Sequence, residues 1–289
     1  LVERFPHVLN VIAENAYALA EELQSLGAPI WLSPGYAFDI PIADAPQDLL
    51  LQARAAAKQD ADINIVATAN RRKKLLVADM DSTIIACECL DEIAGVAGFG
   101  ARVAAITERA MRGEIEFEPA LRERVALLKG LPIAVLERVY SERIRLNPGA
   151  KALVRTMRAH GGHAVLVSGG FSYFTQRVAA AAGFDAEQAN TLLDDGSSLT
   201  GHVAEPILGR DAKRAALEDA VARYTIDFSD TLAVGDGAND LDMIMRAGLG
   251  VAYHAKPVVA AAADASILHG DLKALLYLQG YRDEDISDS

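Results

Sequence analysis

Apolar positions along the chain follow two regimes, with a change near residue 72. In the first, "VLNVIAENAYALAEELQSLG" (8–27) has apolar residues at helical spacing and ends in a glycine stop, which predicts a helix. "YAFDIPI" (36–42) and "DINIVATA" (62–69) alternate as strands do, and "PQDLLLQARAAAKQ" (46–59) again reads as a helix. Together they predict a small α+β domain over residues 1–72. The basic run Arg71 to Lys74 then reads as a solvated linker rather than a nucleic-acid patch.

From Leu75 the apolar runs become short, continuous and rich in β-formers. "LLVA" leads into Asp79, "HAVLV" into "SGG", and "TLAV" into "GDGAND". Strands of this kind, each followed by a polar loop and a helical stretch, predict an α/β fold over 73–289 with a parallel, Rossmann-like sheet covered on both faces. Ligands of such sheets sit beyond the carboxyl ends of the strands, where the three polar clusters fall. The charged, mostly helical stretch between the first two strands is too long for a simple crossover. It predicts an inserted helical cap at about 88–146. "LLDDGSSLTG" (192–201) predicts a hairpin around Asp-Gly, and the acidic tail "DEDISDS" (283–289) is expected to be disordered.

Composition narrows the partners. The 289 residues are 51% hydrophobic and carry a formal charge of -12, which argues against nucleic acid, whose binding draws on Lys and Arg. No run approaches the roughly 20 apolar residues of a membrane span, and the start lacks a signal peptide pattern, so a cytoplasmic protein without a membrane partner is expected. Residue 1 is Leu, which leaves a missing upstream segment open. The two cysteines, Cys87 and Cys89, are too close for an ordinary disulfide and fit a reducing compartment, with a redox or metal pair as the alternative.

Candidate chemistry lies at the strand ends. Asp79 and Asp81 stand two apart at the end of an extended run, so their side chains are expected on one side. Asp236 follows another strand between glycines. Three carboxylates at neighbouring strand ends suit a hard cation with oxygen ligands, Mg²⁺ above all. A carboxylate facing a phosphate dianion at about 4 Å is repelled by roughly 8 kcal/mol at an effective dielectric near 20. A cation and a lysine such as Lys213 would cancel that repulsion. Ser168, followed by Gly169 and Gly170, offers a hydroxyl and open backbone N–H groups to phosphate oxygens. Taken singly, each motif reads as a helix cap, a turn or a surface charge. Their order and common location favour phosphate chemistry.

At these residues the chain resembles the haloacid dehalogenase superfamily: "DMDST", "VLVSGG", Lys213 and "GDGANDLDM" follow its motifs in order. "ECLDEIA", "ITERAMRGEIEFEPALRERVALLKGL" and "DGSSLTG" are more closely similar to the superfamily's phosphoserine phosphatases, over roughly Lys73 to Gly270. The resemblance implies that Asp79 is the nucleophile of an aspartyl-phosphate route and Asp81 the acid and then base. Asp79, the backbone carbonyl of Asp81, and Asp236 would hold Mg²⁺, with Asp240 supporting that shell. Ser168, Gly169 and Lys213 would bind the phosphoryl group, and Asn239 would hold substrate or support the site. Glu88 and Arg124 match positions that read the ammonium and carboxylate of O-phosphoserine, and Phe117 would shield the pocket. Rivals are a phosphotransferase or broad phosphomonoesterase with the same residues, and a catalytically silent amino-acid sensor. The order of elements in 1–72 resembles the regulatory domains found ahead of some family members. L-serine as a regulator, and a structural or dimerising role giving a homodimer, both stand as readings of it.

Overall fold

The computed structural model of the chain describes residues 5–43, 48–57, 60–111 and 114–287. The first of its two larger sheets is antiparallel, in the order β2-β3-β1-β4. It comprises β1 (His7–Ile12), α1 (Ala16–Glu22), β2 (Ile30–Ser33), β3 (Ala37–Ile42), α2 (Leu49–Ala56) and β4 (Asp62–Ala67). β1 corrects the helix expected over 8–27, because only Ala16–Glu22 is α-helical there. Its residues Val8 to Ile12 are buried on both faces between β3 and β4, so a run without alternation belongs to a central strand. β2 had no clear signal, and α2 is shorter at both ends than the pattern suggested, although residues 46–47 and 58–59 of that pattern lie outside the described residues.

The second sheet is the expected parallel one, six strands in the order β12-β11-β10-β5-β6-β7. β5 (Leu75–Asp79) lies between β6 and β10 and leads into the cap, α3 (Cys89–Val96), α4 (Gly100–Met111), α5 (Phe117–Ala126) and α6 (Ala134–Arg143). The chain returns through α7 (Ala150–Ala159), β6 (His163–Phe171), α8 (Ser172–Ala182) and β7 (Ala186–Asn190). The expected hairpin, β8 (Leu192–Asp194) and β9 (Leu199–Val203), leaves the core to join the cap. There Gly130 N donates to Leu199 O at 2.8 Å and Leu199 N to Leu131 O at 2.8 Å. The remaining elements are α9 (Arg210–Tyr224), β10 (Thr231–Gly235), α10 (Leu241–Arg246), β11 (Leu249–Tyr253), α11 (Pro257–Ala262), β12 (Ala265–Ile267) and α12 (Ala274–Leu278). Among the described residues no helix is long and apolar enough to cross a membrane.

Two expectations fail at the surface, for one reason. The basic run is a clasp, not a solvated linker: Arg71 grips Asp39 with both terminal nitrogens, at 2.5 and 2.9 Å, and donates to Leu278 O at 2.8 Å. Lys73 is buried, and Arg72 lies 4.2 Å above the Tyr281 ring. Residues 283–287 of the acidic tail turn back onto this clasp instead of staying disordered, and 288–289 lie outside the described residues. Asp285 pairs with Arg72 at 2.5 Å, Asp283 accepts from Tyr277 Oη at 2.8 Å, and Ser287 N donates to Thr156 Oγ1 at 2.9 Å. Charges of opposite sign, far apart in sequence, neutralise one another.

Candidate active site

The site grows from the register of three adjacent strands. Asp79 ends β5 opposite Val167 of β6, so Ser168 lies one residue beyond. Ala78 pairs with Val234 of β10, which brings Gly235 and Asp236 to the same edge. Beyond Asp79 the strand does not continue. Met80–Ile84 forms a wide turn in which Asp81 (ψ 135°) is extended and Ser82 (φ 57°) left-handed, so this turn, rather than strand alternation, sets Asp81 relative to Asp79.

The two aspartates accordingly meet different partners. Asp79 Oδ1 accepts from Met80 N at 2.8 Å and lies 2.6 Å from Lys213 Nζ. Its Oδ2 has no hydrogen bond among the described residues. Asp81 Oδ2 accepts from Ser168 Oγ at 2.9 Å, and its Oδ1 accepts from Cys89 N at 2.8 Å, at the start of α3. Asp81 therefore ties the core to the cap. Ser168 Oγ also accepts from Gly170 N at 2.8 Å. A Cβ at Gly170 would lie 2.8 Å from Asp81 Oδ2, which explains glycine there.

Lys213 is buried in the first turn of α9, on the same row as Ala216, Leu217 and Ala220. Its Nζ is 2.6 Å from both Asp79 Oδ1 and Asp240 Oδ1. Burial disfavours its charge, but Asp240 and Asp79 outweigh that and hold its pKa above the ordinary lysine value. Carboxylate oxygens of Asp79, Asp236 and Asp240 all lie within 4.8 Å of one another. Burial, then the charge of Asp240, pushes the pKa of both Asp79 and Asp236 up, against the pull of Lys213. Three carboxylates sharing one lysine leave excess negative charge, and their hard oxygen donors fit a divalent cation such as Mg²⁺. Gly235 permits the cluster, since a Cβ on it would come within 2.4 Å of Asp240 Cγ.

The cap residues stand around this centre. Glu88 Oε1 accepts from Ser82 Oγ at 2.7 Å. Desolvation and the charge of Asp81 push the Glu88 carboxyl up to about 7, although the residue keeps solvent exposure. Phe117 covers the glycines of two loops, its ring within 3.3 Å of a Cβ built at Gly169 and 3.6 Å of one at Gly209. Arg124 belongs to the cap alone: it donates to Ala120 O at 3.2 Å and Thr107 Oγ1 at 3.4 Å. Desolvation lowers its pKa, opposed by the charges of Asp91 and Glu88. Asn239 occupies the turn after Asp236, its Oδ1 2.3 Å from where a Gly237 Cβ would stand. Direct contacts thus form two sets, Asp79 and Asp240 on Lys213 and Asp81 with Ser168, and Asp236 joins the first through the carboxylate cluster. Glu88, Phe117 and Arg124 line the cap side, and among the described residues the Asn239 side chain bonds none of them. Both cysteines are free thiols, and burial pushes Cys87 to about 12, against a redox or metal role at neutral pH.

Three supports were not expected from sequence. Thr83 Oγ1 donates to Asp236 Oδ1 at 3.2 Å, and Asn147 Nδ2 holds the Thr83 carbonyl at 2.7 Å. Asn190 bonds both Gly169 O, at 2.9 Å, and Leu208 N, at 2.7 Å, so it sets the serine loop against the approach to α9. Thr83 carried a signal, standing in "DMDST". Asn147 and Asn190 carried none, since an isolated asparagine reads as a turn residue.

Known proteins are similar to this chain over the same region. The pattern of the haloacid dehalogenase-like hydrolases matches residues 76–245. A phosphoserine phosphatase of Archaeoglobus fulgidus is 49% identical over 208 residues, 72% of this chain and 60% of that protein. The chain therefore spans less than two thirds of that relative's length. One from Polaromonas sp. is 47% identical over 210 residues, 71% of this chain and 89% of that protein. Among solved structures, a probable phosphoserine phosphatase of Vibrio cholerae superposes with a TM-score of 0.81 at 32% identity, covering 97% of this chain and 88% of that one. By motif order, strand-end carboxylates and these likenesses, the chain belongs to the haloacid dehalogenase-like hydrolases, within the phosphoserine phosphatase family.

Proposed function

We propose that the chain is a Mg²⁺-dependent phosphatase that hydrolyses O-phospho-L-serine to L-serine and phosphate, the last step of serine biosynthesis. The observation that carries this is the division of labour at the end of β5. Asp79 is held by Lys213 through one oxygen with the other free of hydrogen bonds among the described residues, while Asp81 bonds Ser168 and the cap.

In this mechanism Asp79 Oδ2 attacks phosphorus and the bond to the serine oxygen breaks. Asp81 acts as the acid that delivers a proton to that departing oxygen. Water then attacks phosphorus of the aspartyl-phosphate as Asp81 takes the water's proton, which releases phosphate and restores Asp79. Lys213, Ser168 and the Gly169 backbone hold the phosphoryl oxygens through both steps. Asp79, the Asp81 carbonyl and Asp236, with Asp240 behind them, would hold Mg²⁺, which would supply the charge that cancels repulsion between carboxylate and phosphate. Glu88 faces the substrate ammonium and Arg124 its carboxylate, under the cover of Phe117, with Asn239 steadying the turn of Asp236.

The test is release of phosphate and serine from O-phosphoserine, with and without Mg²⁺, beside an aryl phosphate. Equal amounts of both products, dependent on Mg²⁺, are expected. Serine without matching phosphate marks a transferase, and a folded but inactive protein marks a sensor. Arg124→Lys should lower kcat/KM for phosphoserine about 10- to 100-fold, the worth of one charge-assisted hydrogen bond, and spare the aryl ester. Equal loss on both substrates refutes the assignment of Arg124.

L-serine as a regulator has a candidate location away from this site. A cavity of about 300 Å³ between β4 and the start of β11 is lined by Arg71, Lys73 and Asp264, fixed charges of both signs. Calorimetry of the whole chain with millimolar L-serine should register heat that Lys73→Met removes, and absence of heat in the parent protein rejects the reading. A homodimer would have an open edge at β2, which among the described strands pairs only with β3 and exposes Ile30.

A further inference from the structure

We infer that Asp62, in the amino-terminal sheet, is a positioning residue for the Asp236 side of the active site, an inference that rests on the Mg²⁺-dependent reading above. β4 does not pair with β12 through its backbone. Instead Asp62 and Asn64, i and i+2 on one face of β4, reach the open edge of the parallel sheet with their side chains.

The two do different work. Asn64 closes both backbone polar groups of Ser266, accepting from its N at 2.9 Å and donating to its O at 3.1 Å. That contact ends within β12. Asp62 is also buried, and it accepts from the backbone of three successive loop residues, Leu268 at 2.6 Å, His269 at 3.2 Å and Gly270 at 2.7 Å. A carboxylate bonded to several amides is a strong and directional anchor, and here it fixes the loop after β12.

The loop passes the constraint on. Gly270 O lies 2.9 Å from His254 Nε2, and a carbonyl can only accept, so Nε2 carries the proton. His254 N donates in turn to Ile267 O at 2.8 Å. These bonds hold His254 at φ 45°, a left-handed conformation uncommon outside glycine. Two residues on, Lys256 N donates to Asp236 O at 3.3 Å, which ties this turn to the backbone of Asp236. The path from Asp62 to Asp236 thus runs by hydrogen bonds to His254, along the backbone from that strained residue to Lys256, and by one more hydrogen bond to the Asp236 carbonyl.

The test compares Asp62→Asn, Asn64→Ala, His254→Phe and His254→Gln in the whole chain. The first readout is the Mg²⁺ concentration for half the metal-induced rise in melting temperature, which needs no turnover, and the second is the Mg²⁺ dependence of phosphate release. Asp62→Asn and His254→Phe should raise the half-effect concentration about 5- to 10-fold, as loss of support behind a ligand does, with His254→Gln restored to within about twofold. Asn64→Ala should lower the melting temperature yet hold the Mg²⁺ requirement within about twofold of the parent. Should Asp62→Asn not fold, the two His254 variants decide. An unshifted Mg²⁺ requirement in Asp62→Asn and His254→Phe, an equal shift in Asn64→Ala, or no Mg²⁺ effect on melting in the parent overturns the inference. A parent that responds to Mg²⁺ in melting but releases no phosphate from phosphoserine refutes the phosphatase reading alone.

Discussion

Asp79→Asn is expected to lower turnover of O-phosphoserine by at least about 10⁴-fold without loss of the fold, since the amide cannot serve as nucleophile. The structure makes the second half of that expectation specific. Asparagine Oδ1 can still accept from Met80 N and from Lys213, the two bonds Asp79 Oδ1 now makes. What disappears is a negative charge crowded against Asp240 and Asp236. A carboxyl whose folded pKa is raised takes up protons on folding and so costs stability above its unfolded pKa. The melting temperature of Asp79→Asn at neutral pH in EDTA should therefore equal or exceed that of the parent. Added Mg²⁺ should stabilise the variant less, because one ligand oxygen has lost its charge. Residual turnover near the parent level would remove Asp79 from the nucleophile's role, and a large fall in melting temperature would mean that the charge supports the fold.

Lys213→Met should be the more damaging change to stability, by about 3–5 kcal/mol at neutral pH in EDTA. The methionine fills much of the stem's volume in the apolar row of α9 but leaves Asp79 and Asp240 without their common partner. Turnover should fall at least about 10³-fold, because the same ammonium is assigned to the phosphoryl oxygens. The pH dependence separates charge from packing. Lys213 has its pKa raised above the ordinary value of 10.5, so its contribution is complete below that value and lost only as pH rises through the folded pKa. The deficit of the variant should hold steady from neutral pH to about 10 and shrink in more alkaline solution. It should also shrink under acid, as Asp79 and Asp236 protonate, and Mg²⁺ should raise the melting temperature of the variant more than that of the parent. A deficit indifferent to pH and to Mg²⁺ would assign the loss to packing of the lysine stem.

What could be read from sequence were features encoded within a few neighbouring residues. The buried runs ending at Asp79, Val167 and Gly235 declared a parallel sheet, and the placement of ligands beyond its strand ends located Asp79, Asp81, Ser168 and Asp236. The length between Asp81 and the next strand announced the cap, and Asp-Gly announced the hairpin. Lys213 was legible mainly through motif order, although its row with Ala216, Leu217 and Ala220 also marks it as inward-facing. The helical pattern over 8–27 misled because Val8 to Ile12 are apolar apart from Asn10 and do not alternate, and a central strand and a buried helix share that property.

The tertiary structure decided the rest, and in each case the deciding partner lies far away along the chain. Arg71 looked like a linker residue until Asp39 and Leu278 surrounded it, and the acidic tail looked disordered until Arg72 and Thr156 captured it. Asn190 supports the serine loop from a strand whose sequence advertises nothing, and Asp62 anchors a loop more than two hundred residues later. Periodicity and turn chemistry are local, so they were enough for the strands leading to Asp79, Ser168 and Asp236, for the cap and for the residue types at those strand ends. A hydrogen bond or ion pair depends on a neighbour that only chain folding supplies, so the pairing of Asp79 with Lys213, the hairpin on the cap and the closing of the β12 edge by β4 were settled in three dimensions.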